Sequence, residues 1–422
     1  MRFRLAALTL LALSCAETPT GSISVVTGEE TDAFSKSPAP TSILVEAIAQ
    51  DRSRRQLSRA DLPADTIDLG DHPRADVGAI AVTAFDPGGK ALLKGETLYV
   101  QWGALERGGL EVFVQRIGEL ARMPRGPDAL EPAAATMVVG RYVFAASGTT
   151  TLLYDLLNLR PLTNQPALPR SAKSIATVEL NAVVIDENGA DVFDLAGGTK
   201  VDLATPAGGS YAEIAGGQTF AAPDGTQYVV GATRLSGGPS ARVLVIDKEA
   251  NATFASLSSA REGACAAYVE GRGLIVIGGD PNAPGAEVLA PGSNQAAPLP
   301  FVPDATRGCG ATTLDVGHVA VFGGAGTETA RVLDLACTTN CSGAPWPGAL
   351  PLVRAQAFAL AVDAAFVVGD DASGATHAFR ASAAALSEIP LKTPRRGARL
   401  VASPTNTAII VGGGNGLEQY VE

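Results

Sequence analysis

The stretch LIVIGGDPNAPGAEVLAP, Leu274 to Pro291, decides the fold of this chain. Its aliphatic residues run without interruption into Gly278 and Gly279, and after a short polar loop the chain returns to the strand-like AEVLA. An unbroken aliphatic run of this length is typical of a strand that is buried on both faces. The two glycines supply positive φ for a tight exit from that strand, where a Cβ atom would clash.

The same pattern recurs along the chain. VAVFGG places its first glycine at Gly323, FVVGD at Gly369 and AIIVGG at Gly412, so the intervals from Gly278 onward are 45, 46 and 43 residues. Each unit adds a strand before the aliphatic run and two strands after it, the last ending in Leu and Pro. Looser copies of the aliphatic run end at three earlier positions, which are Gly231, Ile185 and Ala146. The period therefore predicts seven four-stranded units.

An arginine also precedes the first strand of each of the last four units, some 15 to 17 residues before the glycine, and Trp346 lies in one fourth strand. Together with the Gly-Gly that ends the second strand, this sequence pattern resembles the kelch family of β-propellers over about residues 124–422. The resemblance implies an all-β fold with seven radial blades, whose stacked sheets hide their edges. The arginines concerned are Arg261, Arg307, Arg354 and Arg396.

The ends of the chain complete this fold. The chain stops after a third strand, so we expect residues 113–124, FVQRIGELARMP, to supply the missing fourth strand and close a propeller that covers 113–422. Alternating segments within 43–112 predict a small immunoglobulin-like β-sandwich in front of it. The alternative is that ETLYVQWGALERGGLEVFV is a degenerate eighth blade.

The N-terminus predicts export. Arg2 and Arg4 precede a short apolar run that ends at Cys15, which indicates a signal peptide over 1–14. The sequence LALSC resembles a bacterial lipobox, which implies lipidation of Cys15 and, because Ala16 follows, sorting to the outer membrane. An ordinary signal peptide cut near Ala16 is the alternative. Residues 15–42 are rich in Ser, Thr, Pro and acidic side chains, and we expect a disordered tether there.

Composition excludes one class of partner. The chain carries 43 acidic and 32 basic residues, a net charge of −11. Proteins that bind nucleic acid present a basic surface to its phosphates, so nucleic acid is not an expected partner. An exported chain meets an oxidising compartment, so the four remaining cysteines are disulfide candidates rather than zinc ligands. Cys337 and Cys341 can close a small loop, while Cys265 and Cys309 occupy matching places in successive units.

The loops that leave second strands and enter first strands form the expected ligand face. Four equivalent arginines around one mouth could hold an anion, or each could brace its own blade. The residues of this face are Arg261, Asp280, Asn282, Arg307, Glu328, Arg354, Asp370, Asp371 and Arg396.

No catalytic motif emerges from the sequence. The three histidines, His72, His318 and His377, are spread over separate elements, so we expect neither the copper site of galactose oxidase relatives nor another metal or cofactor. We therefore expect a monomeric, non-catalytic recognition or scaffold module that is anchored to the membrane through Cys15 and binds another envelope or extracellular protein. The alternative is a hydrolase or oxidoreductase that uses acidic residues at the channel mouth.

Overall fold

The structure is a computed structural model. It describes residues 23–64, 69, 76–103, 109–128, 131–133, 135–163, 165–235, 237–325 and 329–422. The expected signal peptide, Cys15 and His72 lie outside these residues. Within the described ranges, no helix is long and apolar enough to cross a membrane.

Two sheets form the N-terminal part. One is a parallel pair of Ile23–Val26 with Leu110–Phe113. The other has the order Arg54–Asp61, Ser42–Ala49, Val77–Phe85, Ala91–Glu96 and Gln115–Arg116, with Val100–Gln101 pairing to Val77–Phe85. Their facing aliphatic side chains share one core around Val45, Ile80 and Val112. The strands are β1 (Ile23–Val26), β2 (Ser42–Ala49), β3 (Arg54–Asp61), β4 (Val77–Phe85), β5 (Ala91–Glu96), β6 (Val100–Gln101), β7 (Leu110–Phe113) and β8 (Gln115–Arg116).

The tether prediction is wrong for residues 23–42. Ile23–Val26 pairs with Leu110–Phe113, because ISVV supplies the aliphatic strand that the smaller sheet needs. The chain after it is held by Arg116, whose guanidinium donates to the carbonyls of Ala33 and Pro38 at 3.0 Å each. The sandwich therefore begins at Ile23 rather than at residue 43, and its immunoglobulin-like class stays a prediction.

The segment weighed as an eighth blade belongs to this sandwich instead. Within this segment, residues 96–114, Val100–Gln101 pairs with β4, whereas Leu110–Phe113 pairs with β1 in the other sheet. Its strands are thus divided between two sheets.

Seven four-stranded antiparallel sheets follow in the described residues, and we call them blades 1 to 7. Blades 1 to 3 are β10 (Ala135–Val139), β11 (Tyr142–Ser147), β12 (Thr150–Asp155) and β13 (Arg160–Pro161); β14 (Ser174–Val178), β15 (Asn181–Ile185), β16 (Ala190–Phe193) and β17 (Lys200–Leu203); and β18 (Gln218–Ala221), β19 (Gln227–Val230), β20 (Ser240–Ile246) and β21 (Ala252–Arg261). Two short 3₁₀ helices in this region are Tyr211–Glu213 and Gly231–Thr233.

The remaining blades repeat the arrangement. Blades 4 to 6 are β22 (Cys265–Val269), β23 (Gly273–Ile277), β24 (Ala286–Leu289) and β25 (Ala297–Leu299); β26 (Gly310–Asp315), β27 (His318–Phe322), β28 (Thr329–Asp334) and β29 (Ala344–Ala349); and β30 (Arg354–Ala361), β31 (Ala364–Asp370), β32 (Thr376–Ser382) and β33 (Leu386–Glu388). Blade 7 is β34 (Arg399–Ala402), β35 (Ala408–Val411), β36 (Glu418–Tyr420) and β9 (Leu120–Arg122).

The blades form a closed ring, which makes the domain a β-propeller. The first strand of each blade contacts the first strand of the next, and β34 contacts β10. Each apolar core cluster of the ring lies between two neighbouring blades, and the cluster around Val143 and Ile409 joins blade 1 to blade 7. The middle strands are buried on both faces, in agreement with their continuous aliphatic sequences.

Blade 7 takes its outer strand from the N-terminal side. Leu120 pairs with Tyr420, and Arg122 pairs with Glu418, both antiparallel. This strand lies inside the range 113–124 from which the sequence predicts a closing strand. The sandwich packs beside it, since Val26, Leu98 and Phe113 contact the apolar cluster between blades 7 and 1.

Candidate functional site

The candidate site is the mouth of the central channel. Antiparallel pairing sets the start of each first strand beside the end of the second, as in the pairs Cys265 with Ile277 and Arg399 with Val411. The loops that enter first strands and the Gly-Gly turns therefore meet at one end of the propeller. The first strands themselves line the channel.

The glycines of the opening stretch belong to this end. Gly278 has φ +78° and Gly279 has φ +79°, values that favour glycine. A Cβ atom on Gly278 would lie 2.6 Å from the Thr306 carbonyl oxygen in the loop that enters blade 5. One on Gly279 would lie 3.0 Å from the Glu262 carbonyl oxygen in the loop that enters blade 4. The Gly-Gly turn thus lets three backbone segments approach each other.

Arg261 is a structural brace and not a ligand-face residue. Its side chain is fully buried, its Nε lies 2.5 Å from Glu287 Oε1, and it donates to the carbonyls of Gly278 and Pro284 at 2.6 and 2.7 Å. Blade 7 repeats the brace with Arg395 and Glu418, whose separation is 3.0 Å. The prediction that Arg261 lies on the ligand face is wrong, because its charge is satisfied by buried groups of the next blade, blade 4.

The other three arginines occupy two further positions. Arg307 and Arg396 are exposed at the rim, where Arg307 pairs with Glu262 and Arg396 donates to the Ser373 carbonyl at 3.3 Å. Arg354 lines the channel. The four arginines are therefore not equivalent.

The spacing explains this difference. Arg261 and Arg395 precede their glycines by 17 residues and are buried braces, Arg307 and Arg396 by 16 and are exposed, and Arg354 by 15 and lines the channel.

The acidic residues of the ligand face are engaged locally. Asp280 accepts a hydrogen bond from the Asn282 amide at 2.9 Å, and Asn282 itself is exposed. Asp371 accepts from the Ser373 hydroxyl and amide at 2.7 and 2.8 Å, which lowers its pKa to about 2. Asp370 is buried and pairs with Arg354. Glu328 lies outside the described residues.

The two histidines within the described residues, His318 and His377, are paired with carboxylates. His377 bridges Glu388 and Asp371 with Nδ1 and Nε2 distances of 2.9 and 3.3 Å, and these contacts, chiefly that to Glu388, raise its pKa. His318 contacts Asp315 at 2.9 Å. Among the described residues, no group of three His, Cys, Asp or Glu side chains is arranged to hold a metal ion.

The channel mouth contains a cavity of about 440 Å³. Its charged lining residues, within the part of the chain that the structure describes, are all basic: Lys173, Arg234, Arg354 and Arg399. Sequence reasoning missed three of them because it searched the loops, whereas Arg399 opens a first strand and Lys173 and Arg234 belong to the looser units. Arg399 matches Cys265 in register, but only Arg399 lines the cavity, whereas Cys265 lies in the apolar core between blades 4 and 5.

Both predicted disulfides are present. Cys265 and Cys309 join the first strands of blades 4 and 5, and Cys337 and Cys341 close a small loop after β28. Cys309 also lines the cavity. The first bridge thus fixes two neighbouring first strands at the edge of the candidate site.

Comparison with known proteins gives similarity of structure alone. No protein-family model matches the chain, and no curated protein matches it. A fungal alcohol oxidase of the AA5 family, solved in complex with copper, aligns at TM-score 0.48 and 14% identity over 72% of this chain and 76% of that one. The designed protein Ika8 aligns at 0.43 and 10% over 72% and 100%, and the N-terminal domain of Nup159 at 0.43 and 9% over 72% and 94%. The sheet topology, rather than these alignments, establishes the fold.

Proposed function

We propose that this protein is a cell-envelope lipoprotein whose kelch-like propeller recognises a partner protein at the mouth of its central channel, without catalysing a reaction. The observation that carries the proposal is the basic lining of that mouth. A concave surface with a few convergent charged groups is suited to binding, and guanidinium groups are suited to recognising acidic partners.

The state of the carboxylates supports recognition over acid–base chemistry. A general acid or base needs a carboxyl group that can reach a substrate. Asp370, the buried partner of the channel residue Arg354, also accepts hydrogen bonds from Thr376 Oγ1 at 2.7 Å and from the Gly397 amide at 3.0 Å. Its oxygens are thus committed to joining blade 6 to blade 7.

The proposed location rests on the N-terminal sequence. Cys15 follows the apolar run of a signal peptide, and we propose that a lipid on this residue anchors the protein in the outer membrane. Membrane fractionation of a Cys15→Ser variant tests this point, since retention of the variant in the membrane would contradict it.

The recognition face can be tested by site-specific photo-crosslinking in intact cells. A photo-reactive amino acid replaces Asn282, which is exposed beside the channel mouth, or Val362, which is exposed in the turn at the opposite end of blade 6. We expect a discrete protein adduct from position 282 and none from position 362. Adducts of equal yield at both positions, or none at either, would argue against the proposed face.

A further inference from the structure

The channel wall contains two neighbouring arginines where blade 6 meets blade 7. Arg354 is the first residue of β30, Arg399 is the first residue of β34, and both side chains line the cavity of about 440 Å³. Arg354 reaches toward blade 7, where its Nη2 would lie 3.3 Å from a Cβ atom on Gly397. Two guanidinium groups from adjacent blades therefore share one end of the cavity.

Only one of these two charges is neutralised. Arg354 Nε lies 2.9 Å from Asp370 Oδ2. Arg399 donates from Nε to the Ala133 carbonyl at 3.2 Å, and among the described residues no carboxylate lies within 4.0 Å of its guanidinium. The other charged residues of the cavity lining, Lys173 and Arg234, are also basic.

The environment of Arg399 confirms this imbalance. Burial in the channel wall and the nearby charge of Arg354 lower the pKa of Arg399 to about 10, against the opposing effect of Asp370. Arg399 is still protonated at neutral pH, so the cavity holds a cation that forms no ion pair with a carboxylate of the described residues. Such a charge is costly to enclose, and an anion in the cavity would relieve the cost.

Further donors face the same space. Gln356 also lines the cavity, and its side-chain oxygen accepts a hydrogen bond from the Leu400 amide at 2.8 Å. This bond fixes the amide group and leaves the side-chain nitrogen as a donor. The Arg399 guanidinium and the Gln356 side-chain nitrogen can together donate hydrogen bonds to an oxyanion that has two or more acceptor oxygens.

We infer that Arg399, supported by Arg354 and Gln356, forms an oxyanion-binding site in the central channel that accepts a carboxylate or phosphate group. The inference rests on the proposed function in one respect, which is that the oxyanion is a carboxylate of an acidic segment of the partner protein. The cavity has the volume of a small-ligand pocket, so it has room for an acidic side chain or a small free anion.

Binding to the full chain tests the site by titration calorimetry with two probes, inorganic phosphate and an N-acetylated peptide of four glutamates. The test variant is Arg399→Gln, and the matched control is Arg396→Gln, which removes an exposed guanidinium from the rim of the same mouth. We expect Arg399→Gln to weaken binding by about tenfold or more, because a hydrogen-bonded charge pair is lost, and Arg396→Gln to change it less than about twofold. Arg399→Lys should give an intermediate loss, since it keeps the charge without the planar fork.

The outcomes separate the two parts of the inference. Peptide binding that depends on Arg399 supports both parts, whereas phosphate binding alone supports the site and overturns its assignment to an acidic segment. Absence of binding of either probe up to millimolar concentration, or equal binding by Arg399→Gln and the unsubstituted chain, overturns the site. Thermal unfolding of each variant shows that the fold is intact.

Failure of the site and failure of the proposed function give different results. If the adduct from position 282 forms equally in the Arg399→Gln background, the assignment of the oxyanion to the partner protein is wrong while partner recognition stands. If no adduct forms but phosphate binding still depends on Arg399, the recognition proposal is wrong while the anion site stands.

Discussion

At the scale of the residue, a single step in register decides what an arginine does. Arg261 and Glu287 are both fully buried, so each loses its hydration and depends on the other. Arg307 precedes its glycine by 16 residues, whereas Arg261 precedes its own by 17, and half of the Arg307 side chain remains exposed. The first arginine joins the last strand of blade 3 to blade 4, while the second is available to solvent.

This contrast predicts different costs of removal. Arg261→Ala should lower the free energy of unfolding by about 3–5 kcal/mol, because Glu287 would be left buried without a partner. Arg307→Ala should cost less than about 1 kcal/mol, because its pair is exposed and screened. Urea unfolding of the two variants measures both values. Replacing both Arg261 and Glu287 by apolar residues should restore most of the loss, and a cost for Arg261→Ala as small as that for Arg307→Ala would contradict the brace.

The sequence reveals the residue types of the site but not their positions. The repeated arginines are visible from their spacing, yet a spacing of 15 rather than 17 residues moves Arg354 into the channel and leaves Arg261 in the core. Arg395, the buried brace of blade 7, adjoins Arg396 and cannot be distinguished from it without the register. A single sequence does not show which of two adjacent arginines faces inward.

At the scale of the element, strands buried on both faces are the ones that the sequence predicts well. The middle strands of blades 4 and 7, Gly273–Ile277 and Ala408–Val411, carry continuous aliphatic residues that end on glycines. The strand Ile23–Val26 is missed because four residues in a polar context give no periodic signal. Its stability comes from pairing with Leu110–Phe113, which is distant in the sequence.

The disulfide between first strands should contribute strongly to stability. Cys265 and Cys309 are separated by 44 residues, and the loop-entropy model gives about 4 kcal/mol for a crosslink of that span. Cys337 and Cys341 are separated by only 4 residues, for which the same model gives about 2 kcal/mol. Thermal unfolding of the two double Cys→Ala variants should therefore show the larger loss for the first bridge. The reverse order would mean that local packing outweighs chain entropy.

At the scale of the whole molecule, the sandwich and the propeller share apolar surface. Phe113 is buried with Met123, Ile409 and Leu417 of the propeller side, and Val26 of the sandwich packs against the same cluster. Gln115 donates to the Gln419 carbonyl at 3.0 Å across the same boundary. These contacts couple the two parts.

Calorimetry can measure this coupling. We expect one unfolding transition for the unsubstituted chain, whereas Phe113→Ala should lose about 3–5 kcal/mol and separate the transition into two. Phe193→Ala is the control, because Phe193 is equally buried but lies between blades 1 and 2. It should lower the transition temperature without splitting the transition. Two transitions in the unsubstituted chain would show that the parts unfold independently.

Blade 7 can form only after nearly the whole chain has been synthesised, because its outer strand comes from the N-terminal side. Leu120–Arg122 emerges early, but its partner Glu418–Tyr420 follows about 300 residues later. At a translation rate of about 5–20 residues per second, the wait is roughly 15–60 seconds. During that interval the strand presents unpaired backbone groups, which are a template for association with other chains. Premature termination would make the interval permanent, so shortened translation products of this protein should accumulate as aggregates rather than as soluble partial rings.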